Sequence, residues 1–162
     1  MKRDGVILTW AYAVEFFLVG AIYGVMLHFA GANKLIEVME KNWPTFSTIA
    51  GVLFASGLAA FLFFAQLLDS EFGKYLKWRK ADGHYLRAYQ VQVLLFLLAA
   101  GIPAALAFGR HDLIGHGAWV VFLYACVNGL TVVRNTVQIV RLRQKFQVEH
   151  DAILAEIDKD ER

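Results

Sequence analysis

The side chains in this sequence that could do chemistry are few, and the most telling of them interrupt long apolar runs. Asn128, Thr131, Arg134, Asn135, Gln138, Arg141 and Lys145 recur at a helical period. At 100° per residue they share one arc of about 140°. Toward the other end of the same run that face carries Val120, Tyr124 and Val127, with Val121 at its margin. Glu15 interrupts the first apolar run, while Gln66 and Gln92 sit at the ends of two others. A charged side chain inside a bilayer costs roughly 2.5–3.5 kcal/mol on insertion scales, so such residues are kept for structure or function. Glu15 and Arg134 are expected at similar depth, roughly 9–13 Å from the same membrane edge by the helical rise. A Glu15–Arg134 pair would neutralise both charges.

Two readings of this constellation stay open. Glu15 and Arg134, ringed by Gln66, Gln92, Asn128 and Asn135, could lock four helices together. Alternatively they could line a water-filled vestibule, closed by valines and the Tyr124 ring, as in a pore with a hydrophobic gate. A voltage sensor fits poorly, because the third positions after Arg134 are Val137 and Val140.

The histidines form a second, weaker group. His28 falls near the end of the first apolar run, and His111, Asp112 and His116 precede the fourth. Imidazole and carboxylate could hold zinc or copper, but the 111/116 spacing is not a helical i, i+4 pair. These histidines are weak metal candidates, and solvated loop residues are the plainer expectation. His84 and His150 read as surface residues. With one histidine inside a span, a haem held between helices is not expected, and no cofactor is. Among enzyme signatures, GxSxG, HExxH, CxxC, the P-loop and GxGxxG do not occur. Cys126 has no histidine in reach along its own helix. The chain reads as non-enzymatic.

The elements that must position these residues follow from composition. Of 162 residues, 58% are hydrophobic and only 19% charged, and the mean hydropathy is +0.48. A chain this short cannot hide that much apolar surface in one core. Disorder is excluded for the same reason, and the single cysteine excludes a disulfide scaffold. Crossing about 30 Å of hydrocarbon takes roughly 20 mostly apolar residues. Four runs qualify, giving spans at about 6–30, 46–68, 88–108 and 118–140. A cleavable signal peptide is a poor fit to the first, whose apolar stretch is too long. The expected fold is all-α: a four-transmembrane-helix bundle in a single domain. Its second, third and fourth helices should extend into the cytoplasm as a hairpin at 69–87 and a helical tail at 141–162.

Punctuation refines this. Gly31-Ala32-Asn33 should end the first helix. Trp43-Pro44-Thr45 should start the second, with Thr45 as cap. Leu68, Phe72, Tyr75 and Leu76 make one stripe of a helix, and the break comes at Ala81-Asp82-Gly83. Pro103 should kink the third helix. Ile139, Leu142, Phe146, Ile153 and Ile157 keep a helical spacing through the charged tail, expected as a short helix packed on the hairpin.

Thirteen of the sixteen Lys and Arg residues fall on one side of this arrangement, leaving Lys34, Lys41 and Arg110 on the other. Both termini are therefore expected in the cytoplasm of a multi-pass cell-membrane (inner-membrane) protein. Trp10, Trp43, Trp78 and Trp119 fall at alternating boundaries, the level amphipathic rings prefer. The net charge of +2 calls for anionic headgroups as neighbours, not nucleic acid.

Helix pairing in lipid rests on small residues. Gly20/Gly24, Gly51/Ala55, Ser56/Ala60, Ala100/Ala104, Gly101/Ala105 and Ala125/Gly129 all repeat the small-xxx-small spacing. The seams and the one-sided polar stripe lead to a self-associating membrane protein with a pathway for ions or small solutes. The alternative is an accessory, immunity or assembly subunit, docking to a larger membrane complex through its hairpin and tail. A metal- or cofactor-holding subunit using the outer histidines ranks last.

Overall fold

In the computed structural model the described residues are 2–79, 81–108 and 112–160, with side chains described for 13–79, 81–106, 108 and 112–151. All regular structure there is helical. The chain runs through α1 (Lys2–Ala30), α2 (Ala32–Leu67), α3 (Glu71–Trp78) and α4 (Asp82–Ala104). A 3-10 turn (Ala105–Phe108) then precedes α5 (Asp112–Asp160). By length and composition, α1, α2, α4 and α5 are each long and apolar enough to cross a membrane.

The junctions follow from local chemistry. A single residue, Gly31, separates α1 from α2 at φ 79° and ψ 152°, a region essentially reserved for glycine. Its N–H still bonds the Leu27 carbonyl at 3.0 Å, closing the last turn of α1. The second helix starts at Ala32, well before Pro44, so residues 32–41 are helical rather than a connecting loop. Pro44 lies inside it and acts as a kink. The proline has no N–H, and its ring crowds the carbonyl one turn back. The backbone opens at Asn42 (φ −115°, ψ 16°). The Asn42 side-chain amide donates to the Val38 carbonyl at 2.9 Å. Thr45 does not start a helix here; Thr48 Oγ1 donates to the Pro44 carbonyl at 2.8 Å.

Between α2 and α4 the chain forms a separate short helix, not a continuation of α2. Ser70 caps α3, accepting from the Gly73 N–H at 3.3 Å while its hydroxyl donates to the Leu67 carbonyl at 2.6 Å. The turn is tight enough that a Cβ on Gly73 would stand 2.2 Å from the Leu68 carbonyl oxygen. The stripe expected from spacing does face inward: Phe72 and Leu76 are buried and Tyr75 is half-buried. Pro103 falls in the last turn of α4, where the helix tightens into 3-10 without an internal break.

α5 is one uninterrupted helix of 49 residues, about 74 Å long at 1.5 Å per residue. The tail is therefore continuous with the fourth span. Phe146 packs on Phe72 and Tyr75, with ring centroids 5.8 and 5.2 Å apart. Ile153 and Ile157 lie outside the described side chains.

The core forms where α2, α4 and α5 meet, with Phe64, Phe96, Met39, Ala50, Ala99 and Ala125 buried in it. Helix α1 attaches mainly to α5. A Cβ on Gly57 would meet two ring carbons of Phe96 at 2.8 Å, so the α2–α4 approach needs a glycine there. Trp119 is a core residue rather than a boundary one. It is 7% exposed, packs edge-on against Phe46, and donates from Nε1 to the Leu35 carbonyl at 2.8 Å. Outward-facing positions are strongly apolar, with Phe17, Val52, Leu94 and Leu130 all exposed. In water such a surface would be an aggregation patch; against acyl chains it is the ordinary exterior.

Candidate functional site

Of the polar side chains singled out by spacing, the structure brings three into direct contact. Glu15 of α1 is 8% exposed and points at α5. It accepts from Asn128 Nδ2 at 2.9 Å and from Thr131 Oγ1 at 2.5 Å. Asn128 and Thr131 are three apart, so both lie on the face of α5 that meets α1. The Tyr124 hydroxyl lies beside Asn128, four residues back on the same face. Tyr124 thus stands against the polar cluster.

The expected Glu15–Arg134 pair is not formed. Arg134 is exposed, and among the described residues no Lys or Arg stands within ion-pair distance of the Glu15 carboxylate. The cause is rotation. Asn128 and Thr131 take the positions on α5 that face α1, and Arg134, one turn further, has swept out of the interface. The other predicted members divide in the same way. Asn135 is half-buried, while Gln138 and Gln66 are exposed. Gln92 is 1% exposed but sits in the core with its Oε1 unpartnered. It does not join Glu15.

The small-residue seams also separate. Ala125 is fully buried, and a Cβ on Gly129 would lie 3.1 Å from Leu53 Cδ2. Those two face the interior of the bundle. A Cβ on Gly20, Gly24 or Gly51 would meet nothing within 4 Å, so these three make no close helix approach within this chain. Gly57, which no small-xxx-small pattern selected, makes the closest one among the described residues.

Two polar contacts between helices were not legible from spacing. The Tyr23 hydroxyl is hydrogen-bonded to His116 Nδ1, which ties α1 to α5 near the opposite end from Glu15. His116 is in a helix, not a loop, because α5 begins six residues earlier than its apolar run suggested. On the α4–α5 face, Thr136 Oγ1 donates to the Val132 carbonyl at 2.8 Å. The Tyr89 hydroxyl must then donate to Thr136 Oγ1, at 2.9 Å. Nothing in a sequence pattern pairs a tyrosine with a threonine 47 residues away.

Among the described residues the metal candidates do not come together. His28 is exposed and packs edge-on against Phe29, His111 lies outside the described residues, and His116 is taken by Tyr23. Among the described residues no three His, Cys, Asp or Glu side chains gather. Cys126 is half-buried and free.

An isolated carboxylate held by an amide and a hydroxyl can do two things in a low-dielectric setting. It can bind and release a proton, or it can attract a small cation, since no positive charge among the described residues compensates it. No family model, curated protein or solved structure matches this chain.

Proposed function

We propose that this chain is a multi-pass membrane protein that associates with copies of itself and gives ions or small solutes a path, with Glu15 as the residue that meets them. One observation carries the reading. An acidic side chain within a candidate span is buried against neutral donors, Asn128 and Thr131, with no basic partner among the described residues. A purely structural lock works best with opposite charges, because an uncompensated carboxylate is costly in hydrocarbon. A carboxylate with no fixed counter-charge beside it stays available to a proton or a cation.

Self-association is supported from the outer surface. Arg134 and Gln138 are exposed on α5 beside the exposed apolar side chains of Leu130, Val133 and Val137. Six residues before the end of the span near residue 140, Arg134 stands about 9 Å inside the cytoplasmic edge, so its guanidinium is best accommodated on a face shared with another copy. In this arrangement four helices cross the bilayer, α3 and the end of α5 stand in the cytoplasm, and both termini are cytoplasmic, as the cation distribution requires.

Purified protein in liposomes tests the reading. Dye-reported ion or proton flux should exceed that of empty vesicles, and Glu15→Gln should lower it at least tenfold while preserving the contacts to Asn128 and Thr131. Vesicles as tight as protein-free controls refute it.

A second reading has its own observation. The last third of α5 projects well past its apolar run, and Phe146 fixes α3 against it. That rigid cytoplasmic unit suits an accessory subunit docking on a larger membrane complex. Silent vesicles together with a stoichiometric partner, lost on removing residues 147–162, favour it.

A further inference from the structure

At the charged end of the bundle, α3, α4 and α5 enclose an open cleft of about 470 Å³. Its walls are Tyr75 and Arg79 from the α3 side, Tyr85 from α4, and Lys145, Phe146 and Glu149 from α5. We propose that this cleft holds the phosphate of an anionic phospholipid headgroup, bound between Arg79 and Lys145. The proposal is independent of the path through Glu15.

Four observations converge on that ligand. The Arg79 guanidinium lies over two aromatic rings, 5.3 Å from the Tyr75 centroid and 5.7 Å from that of Trp78. Among the described residues it has no carboxylate partner. Ring stacking fixes the direction of its fork while leaving the N–H donors unused, which suits bidentate phosphate binding. Lys145 faces the same cleft, and its nearest carboxylate, Glu149, is 3.9 Å away with both side chains largely in solvent. A contact of that kind is worth little and yields readily to a doubly bonded phosphate. The hydroxyls of Tyr75 and Tyr85 make no hydrogen bond within the chain among the described residues, so two more donors are free at the walls. A pocket of this size is suited to a headgroup rather than a lone ion.

Position selects a lipid over a free phosphate. The cleft lies just past the apolar run of α2, where the chain turns at Leu68 into the one-sided helix α3. Phe72 and Leu76 of that helix are buried, while Trp78 beside the cleft is 75% exposed. An exposed tryptophan next to an arginine, on the short helix α3 that joins two membrane-long helices, marks headgroup level. Leu142, partly exposed on the α5 side, offers an apolar surface for the start of an acyl chain.

The test is lipid retention by the full chain. Protein extracted from vesicles of phosphatidylglycerol and phosphatidylcholine is delipidated in mild detergent and analysed by native mass spectrometry. The expected result is one phosphatidylglycerol retained per chain. Each neutralised cation should weaken retention roughly fivefold, so Arg79→Gln and Lys145→Gln are each expected to show it. Arg79→Lys should recover part of the loss. Lys145 is 76% exposed at its side chain, so its substitution tests the site without threatening the fold. Lys74→Gln, on the same short helix but outside the cleft, should retain lipid as the wild type does. Equal retention of phosphatidylcholine, an equal loss in Lys74→Gln, or displacement of the lipid by millimolar inorganic phosphate would each overturn the proposal. The last outcome identifies a free-phosphate site instead.

Discussion

Replacing Gly57 by alanine sets two effects of known sign against each other. Alanine favours a helix over glycine by about 1 kcal/mol. The added Cβ, however, would stand 2.8 Å from both Cδ2 and Cε2 of Phe96, and 3.8 Å from Val93 Cγ2. Carbon atoms in good contact sit about 3.5–4.0 Å apart, so the helices must separate or the ring must leave its rotamer. Phe96 is 1% exposed and has no room to turn. Overpacking of this kind costs about 1–3 kcal/mol. The clash wins, and a net loss of about 1 kcal/mol is expected. Gly24→Ala is the matched control, because nothing lies within 4 Å of its Cβ. There the helix term acts alone, for a gain of up to about 1 kcal/mol. The two variants should differ by about 2 kcal/mol, roughly 30-fold in the unfolding equilibrium. Titrating a denaturing detergent into protein held in mild micelles, followed by near-ultraviolet dichroism of the tryptophans, reads that difference. If Gly57→Ala unfolds no earlier than Gly24→Ala, the close α2–α4 approach is not as described. The same pair addresses assembly. Should Gly20 and Gly24 join copies of the chain, Gly24→Leu will shrink the oligomer fraction in sedimentation while leaving monomer unfolding unchanged.

Two further outcomes follow from the α3 region. Gly73→Ala would press a Cβ to within 2.2 Å of the Leu68 carbonyl oxygen. Backbone cannot yield as a side chain does, so a local cost of about 3 kcal/mol is expected. Hydrogen exchange should speed up across residues 70–79 while α4 stays protected; unchanged exchange there would contradict the tight turn. In the same helix, the Lys74 ammonium bonded to Glu71 at 2.6 Å holds the Glu71 carboxyl below its ordinary value. A depressed acid stabilises the folded form above its unfolded pKa and loses that contribution as pH falls through the folded one. Helix α3 should therefore loosen only below the usual glutamate range. Lys74→Ala should shift the Glu71 titration, followed by carboxyl-carbon NMR, back upward, and an unmoved titration refutes the assignment.

Much of the architecture was legible in residue order because lipid and water sort side chains by type. A run of twenty apolar residues has few alternatives to a spanning helix, and glycine at Gly31 has few alternatives to a break. The Phe72–Leu76 stripe and the Ala125/Gly129 seam likewise follow from a period of 3.6. Prolines were less decisive. Pro44 is equally compatible with a helix start and with a kink, and the choice depended on the apolar contacts of Leu35, Ile36 and Met39, which are buried against the rest of the bundle.

Residue order alone determined that the chain is all-helical with four membrane-long helices, and that Glu15, Asn128 and Thr131 are unusual among their neighbours. Only the tertiary structure decided that these three meet and that Arg134 does not. Periodicity gives the angle of a side chain about its own helix, but not the rotation of that helix toward the next. That rotation is set by close contacts such as Gly57 on Phe96 and Trp119 on Phe46, between residues far apart in the chain. A turn of some 60° in α5 exchanges Arg134 for Thr131 at the Glu15 carboxylate, since at 100° per residue positions three apart differ by that angle. No pattern read along a single helix can choose between them.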